Sequence, residues 1–307
     1  MSNLAEPILR NSAGLDSAQP AAARQGLLYG LIGVAAFSLT LPATRIAVAE
    51  LDPTIVGLGR AIAAAGLAGV VLFFNGARFP APTHLPRLAV VALGVIVGFP
   101  WLSAWAMQHV PAIHGAVVIG LLPLGTAIFA ALRAGERPSA LFWAATLAGS
   151  LAVVAYATYS GGGSLHLADL ALVGAVLSAS LGYAEGAQLA RTLGGLQVIS
   201  WALVIAAPAL VLPVGLAVAA HGLAAGPAAW GGFAYVSIFS MYLGFFAWYR
   251  GLARGGIARV GQLQLLQPFL TIVASALLLG EPLSAAALLA AVIVVGCVAI
   301  GRRARIG

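Results

Sequence analysis

The sequence predicts an all-α membrane protein: ten transmembrane helices, built as a five-plus-five inverted-topology repeat. Three observations carry this. Of 307 residues, 62% are hydrophobic and only 7% are charged, where a soluble domain carries about 25% charged residues. The apolar residues come in runs of about twenty, long enough to cross a hydrocarbon core of about 30 Å as helices. They do not alternate with polar residues over ten-residue segments, as barrel strands do. Finally, the basic residues between the runs fall almost entirely on one side of the bilayer.

The same totals exclude a disordered chain, a coiled coil and a soluble enzyme. The single cysteine, Cys297, lies in an apolar run and excludes an intramolecular disulfide and a multi-cysteine metal site. The net charge of +7 does not point to nucleic acid, because the arginines sit between apolar runs, as membrane topology requires.

Each element is bounded by a chemical break. Residues 1–25, polar and rich in Ala, Pro and Ser, read as a disordered tail. Helix 1 (27–48) is too long for a signal-peptide core and ends at Leu51-Asp52-Pro53. Helix 2 (53–74) stops before Phe79-Pro80-Ala81-Pro82, helix 3 (87–108) at Val110-Pro111, and helix 4 (111–133) before Arg137-Pro138. Helix 5 (140–159) ends at the loop 161–164, helix 6 (169–190) at Gly194-Gly195, and helix 7 (196–220) at Gly226-Pro227. Helix 8 (229–250) ends at Gly255-Gly256, helix 9 (257–280) at Glu281-Pro282, and helix 10 (284–302) runs to the basic tail. Gly ends a helix by backbone freedom and Pro by its missing amide.

Numbering the loops from the N-terminus puts thirteen arginines on the first side, among them Arg78, Arg87, Arg191, Arg254 and Arg303, and none on the other. The opposite loops hold Glu50, Asp52 and Asp169. Positive charge stays inside, so both termini are expected in the cytoplasm. One missed helix would scramble this alternation.

The halves, 26–160 and 161–307, resemble each other. Helix 4 reads HGAVVIGLLPLGTAIFAALRAGERP and helix 9 reads RVGQLQLLQPFLTIVASALLLGEP. Pro123 to Glu136 and Pro268 to Glu281 both span thirteen residues, so a shift of 145 superposes them. A weaker shift of about 141 lays helix 1 on helix 6. Five is odd, so the second half enters from the opposite face. This is the inverted repeat typical of secondary transporters, whose sites lie near the midplane between the repeats.

With these features in place, the chain resembles the drug/metabolite transporter superfamily, EamA-type, over about residues 26–302. The resemblance rests on the ten helices as five plus five, on the Pro-to-Gly-Glu pattern ending helices 4 and 9, and on Arg60 and Arg45. Within that group it is most similar to bacterial amino-acid and metabolite exporters, including the aromatic amino-acid branch. The resemblance implies a basket-like fold, a central cavity and alternating access. Helix 6 departs from the pattern by repeating neither Pro42 nor Arg45.

Helix 9 carries the strongest site candidates. Gln262, Gln264 and Gln267 cluster in an apolar helix, and Gln264 and Gln267 share a face. Pro268 deprives the Gln264 carbonyl of its usual donor. Two amides and a free carbonyl could hold a polar or zwitterionic head; the alternative is hydrogen bonding between helices. Trp101, Tyr183 and Tyr242 lie deep enough to form apolar cavity walls, whereas Trp105 and Tyr249 fit an interfacial belt. Glu185 could meet a substrate amine or a proton, or pair with Arg191, and His114 could titrate near neutral pH or be a structural histidine. Arg60 and Arg45 read as structural, with Glu50 or Asp52 as partners and a substrate carboxylate as the other reading. Glu136 and Glu281 read as helix-start carboxylates. Pro42, Pro100, Pro123 and Pro268 are hinge candidates, and Gly-x-x-x-Gly pairs at 26/30, 94/98, 182/186 and 251/255 allow close helix approach.

No phosphate loop, zinc motif or nucleophile elbow is present, so no cofactor or metal is expected. The expected function is export of a small amphipathic metabolite, an amino acid first among them, across a bacterial inner membrane. The expected partners are that substrate and the lipid bilayer, with no nucleic acid; a monomer suffices. A drug or organic-cation exporter of the same fold is the alternative, ahead of a channel or a membrane-embedded enzyme.

Overall fold

The structure is a computed structural model of the 307-residue chain and describes residues 24–134, 139–160, 162–255 and 260–303. Residues 1–23 of the tail and the segment holding Glu136 lie outside the described residues, as does the side chain of Gln262; Arg24 and Gln25, placed in the tail by the sequence, begin the first helix. The described residues form helices and no strand.

Eight helices are long and apolar enough to cross a membrane: α1 Arg24–Val48, α2 Ile55–Phe74, α3 Pro82–Ala106, α4 Ala112–Leu132, α5 Ala140–Ser160, α6 Leu167–Leu193, α7 Gly195–His221 and α8 Pro227–Arg254. Two shorter apolar helices, α9 Leu263–Leu279 and α10 Ala285–Gly301, complete the ten. The chain is therefore a multi-pass membrane protein. Consecutive helices run in opposite directions, so residues 24 and 303 share one end of the bundle, the terminal end. The other is the far end.

The packing carries the repeat. Helix α2 lies on α7, α4 on α9 and α5 on α10, while α1 on α8 mirrors α3 on α6. Helices α4 and α9 run in opposite directions and cross where Gly120 faces the ring of Pro268.

Small residues make these crossings possible. A Cβ on Gly94 would meet the Gly182 nitrogen at 2.8 Å, fixing the α3–α6 approach, and one on Gly251 would meet the Gly30 nitrogen at 2.7 Å, fixing α1–α8. Tyr249, expected in an interfacial belt, is instead fully buried. Its ring fills the surface that Gly186 leaves open on α6.

The helices are irregular where they approach the centre. Ile55–Gly59 in α2, Ala92–Gly98 in α3 and Val236–Gly244 in α8 are π-helical. The shift of 145 carries 92–98 onto 237–243, inside the third segment. Helix α4 breaks at Gly120-Leu121 and resumes at Leu122-Pro123; α9 begins as a 3-10 turn, Gln262–Leu266, and becomes α-helical at Gln267-Pro268. Pro100 is likewise the second residue of an α-helical segment, Phe99–Ala106, that follows a π segment. Pro42 lies just after a break at Leu39. All four hinge candidates thus sit immediately after an irregularity, where a missing amide costs least.

Candidate functional site

Seven of these helices surround one central cavity of about 370 Å³ of empty space, including its open mouth. Its narrow interior has room for only one or two water molecules. Phe37 and Thr40 of α1, Tyr183 and Ala179 of α6, and Ser240, Met241 and Phe245 of α8 form much of the wall. Val95 and Phe99 of α3, Leu122 of α4, Gln267 of α9 and Arg60 of α2 complete it. Helices α5, α7 and α10 contribute nothing to the lining and stand outside.

The repeat organises this lining. The shift of 145 relates Val95 to Ser240 and Leu122 to Gln267. At both positions the first half offers an apolar side chain and the second a polar one. The two-fold thus builds the chamber, and departures from it give the chamber a polar side.

That side holds Gln267, a hydroxyl pair and Arg60. Thr40 Oγ1 and Ser240 Oγ lie 2.8 Å apart and tie α1 to α8. Arg60 follows the π segment of α2, is 1% exposed, and presents Nε and Nη1 without hydrogen-bond partners among the described residues. Its expected partners are engaged elsewhere. Glu50 accepts the Gly226 amide at 2.6 Å. Asp52 accepts the Thr54 amide at 2.7 Å and lies 3.6 Å from His221. Both acids precede α2, whereas Arg60 lies well inside it, so the expected pairing of Arg60 with Glu50 or Asp52 is corrected. Depth relative to the nearest acids was the signal that could have found it.

The apolar side is aromatic. Phe37 packs against Phe245, Tyr183 and Trp248 with centroids 4.9, 6.3 and 6.3 Å away. Trp248 was not singled out by the sequence; it is packed against α1 at Gly33.

Of the residues marked in the sequence, Gln267, Tyr183 and Arg60 meet in this cavity. Gln264 is 4% exposed, lies outside the lining, and has an unpartnered Nε2. Its carbonyl is not free as expected, because the 3-10 turn lets the Gln267 amide reach it. Tyr242 is buried away from the cavity with its hydroxyl 3.1 Å from Ser200 Oγ. Trp101, expected as a cavity wall, is 46% exposed and is not among the residues lining this cavity; its backbone lies against Gly57.

Glu185, His114, Asp169, Glu281 and Arg45 all have partners. Arg87 donates Nε to Glu185 and Nη2 to Gln188 at 2.8 Å, replacing the expected Arg191. His114 Nε2 and Asp169 Oδ1 are 2.6 Å apart, and Asp169 Oδ2 accepts the His166 amide at 2.8 Å. Glu281 accepts the amides of Ala112 and Ile113, both at 2.8 Å, and lies 3.4 Å from Arg45. It therefore caps α4 across the repeat interface rather than the helix that follows it. Arg45 also donates to the Met107 carbonyl at 2.6 Å.

Ten antiparallel helices in two interleaved halves, closed on a mixed polar and aromatic chamber with no catalytic constellation among the described residues, define a membrane carrier of small molecules. The EamA-like transporter family profile matches the chain twice, over residues 24–158 and 166–301, and the chain belongs to that family. It is a transporter and not an enzyme. It is 49% identical over 279 residues to the Bacillus subtilis protein called "Uncharacterized transporter YdeK", covering 91% of this chain and 97% of that protein. It is 26% identical over 256 residues to a "Probable terminal-alkyne amino-acid exporter" of Streptantibioticus cattleyicolor, covering 82% and 84%. A solved crystal structure shares the fold, with a TM-score of 0.62 at 20% identity over 92% of this chain and 96% of its own.

Proposed function

We propose that this transporter exports small amphipathic metabolites, neutral amino acids foremost, across a bacterial inner membrane by alternating access. Both termini face the cytoplasm, and the halves 26–160 and 161–307 rock against each other. The observation that carries the reading is the central chamber, walled by helices of both halves and offering an amide, hydroxyls and a guanidinium opposite aromatic rings. One side suits a polar head and the other an apolar side chain. The name of the Streptantibioticus relative points the same way. In this conformation the cavity is narrower than such a substrate, so binding requires the walls to part. The four prolines at helix irregularities are the bending points.

The test is counterflow in proteoliposomes screened across the amino acids, with wild type and Gln267→Leu. The substitution removes a hydrogen bond to the head group and should weaken apparent affinity by about five- to 150-fold with expression and insertion unchanged. Unchanged affinity, or a loss explained wholly by failed folding, removes Gln267 from the site. Transport of organic cations in place of amino acids overturns the substrate class.

A further inference from the structure

Resting on the transporter reading, we infer that Arg60 is the anchor for a carboxylate, and that the cavity recognises the acid group of its substrate rather than an amine. Arg60 lines the cavity, is 1% exposed, and leaves Nε and Nη1 unpartnered among the described residues. A buried guanidinium with open donors is a strongly unfavourable arrangement unless a counter-charge arrives. Its planar fork matches the two oxygens of a carboxylate.

The acids of the described residues leave this role vacant. Among the described residues, Glu50, Asp52, Asp169 and Glu281 are engaged at the far end, and Glu185 is held by Arg87. No Asp or Glu lines the cavity, so its lining carries one positive charge and no negative one. An ammonium group finds there only neutral acceptors, the hydroxyls of Thr40 and Ser240, the Gln267 amide oxygen and ring faces. An amino acid is therefore held chiefly by its carboxylate, and the same molecule without its amine should bind as well or better. An organic cation meets repulsion.

The experiment measures binding to the purified full-length protein, by calorimetry and ligand-induced thermal stabilisation, for four probes that share an isobutyl side chain: L-leucine, 4-methylpentanoate, L-leucinamide and isoamylamine. The expected result is that the two acids bind and the amide and amine do not. Arg60→Gln should weaken the acids by about ten- to a hundredfold and abolish the preference for them, with Arg60→Lys intermediate. Equal binding of amide and acid, or an acid preference that survives Arg60→Gln, overturns the inference. If 4-methylpentanoate binds through Arg60 and L-leucine does not, the carboxylate anchor stands and the amino-acid reading falls. If no probe binds, stability decides. Arg60→Met should melt at or above the wild-type temperature, because it removes an uncompensated charge. A lower melting temperature restored by Arg60→Lys would make Arg60 a structural cation and overturn the inference.

Discussion

At the far end of the bundle, each buried or half-buried charge is answered by a group from another helix or loop, whereas the guanidinium beside the central cavity is answered by none. Asp169 is met by His114, Glu281 by Arg45 and two amides of α4, and Glu50 by the Gly226 amide. Arg60 has no such neighbour among the described residues. The difference teaches how to read ionisable residues at membrane depth. Those at helix ends join the two halves, while the one at the centre has no such partner among the described residues and is the proposed anchor for a ligand.

Breaking the far-end pairs should cost stability in proportion to the bonds removed. Asp169→Ala removes the acceptor for both the His114 ring and the His166 amide and should destabilise by about 3 kcal/mol, read by thermal unfolding in detergent. A variant as stable as wild type would mean that the pair does not fasten α4 to α6. Glu281→Ala uncaps α4 and should cost about 2 kcal/mol, with Glu281→Gln losing about half as much. Substrate affinity in the surviving protein should be unchanged; a large fall would blur the division between fastening charges and binding charges. At the bottom of the scale, Trp101→Leu, outside the cavity lining, should leave transport intact and shift stability by no more than about 0.5 kcal/mol. A transport defect there would put the cavity boundary in the wrong place.

Much of the fold was visible in the sequence, and the part of the site that was not has a physical reason. The helices were legible because bilayer thickness sets their length, and their ends because Pro and Gly break backbone hydrogen bonding. The repeat was legible from Pro123 and Pro268, and the close crossings from Gly94, Gly182 and Gly251. Partners were harder. Glu281 caps a helix starting 169 residues earlier in the chain, and Arg87 meets Glu185 across 98 residues. Composition records which charges exist but not which of them meet. The π segments were hidden for a related reason. One extra residue per turn leaves no mark in an all-apolar stretch such as Ala92–Gly98, yet it turns the following residues, Arg60 after one such segment and Phe99 after another, toward the cavity. Trp101 misled because depth along a helix was legible and facing was not.

The tightness of the chamber bears on the kinetics of turnover. Under the proposed alternating access, closing the bundle around Arg60 with nothing aboard would withdraw a cation from water without giving it a counter-ion, and that desolvation would burden the empty carrier alone. A bound anion offsets it, so the loaded carrier crosses the occluded state more readily than the vacant one. Exchange of one anion for another should then outpace net efflux, and futile cycling would be suppressed without a dedicated coupling ion. A single uncompensated side chain would act as an interlock, holding the transition state for reorientation high until cargo is seated.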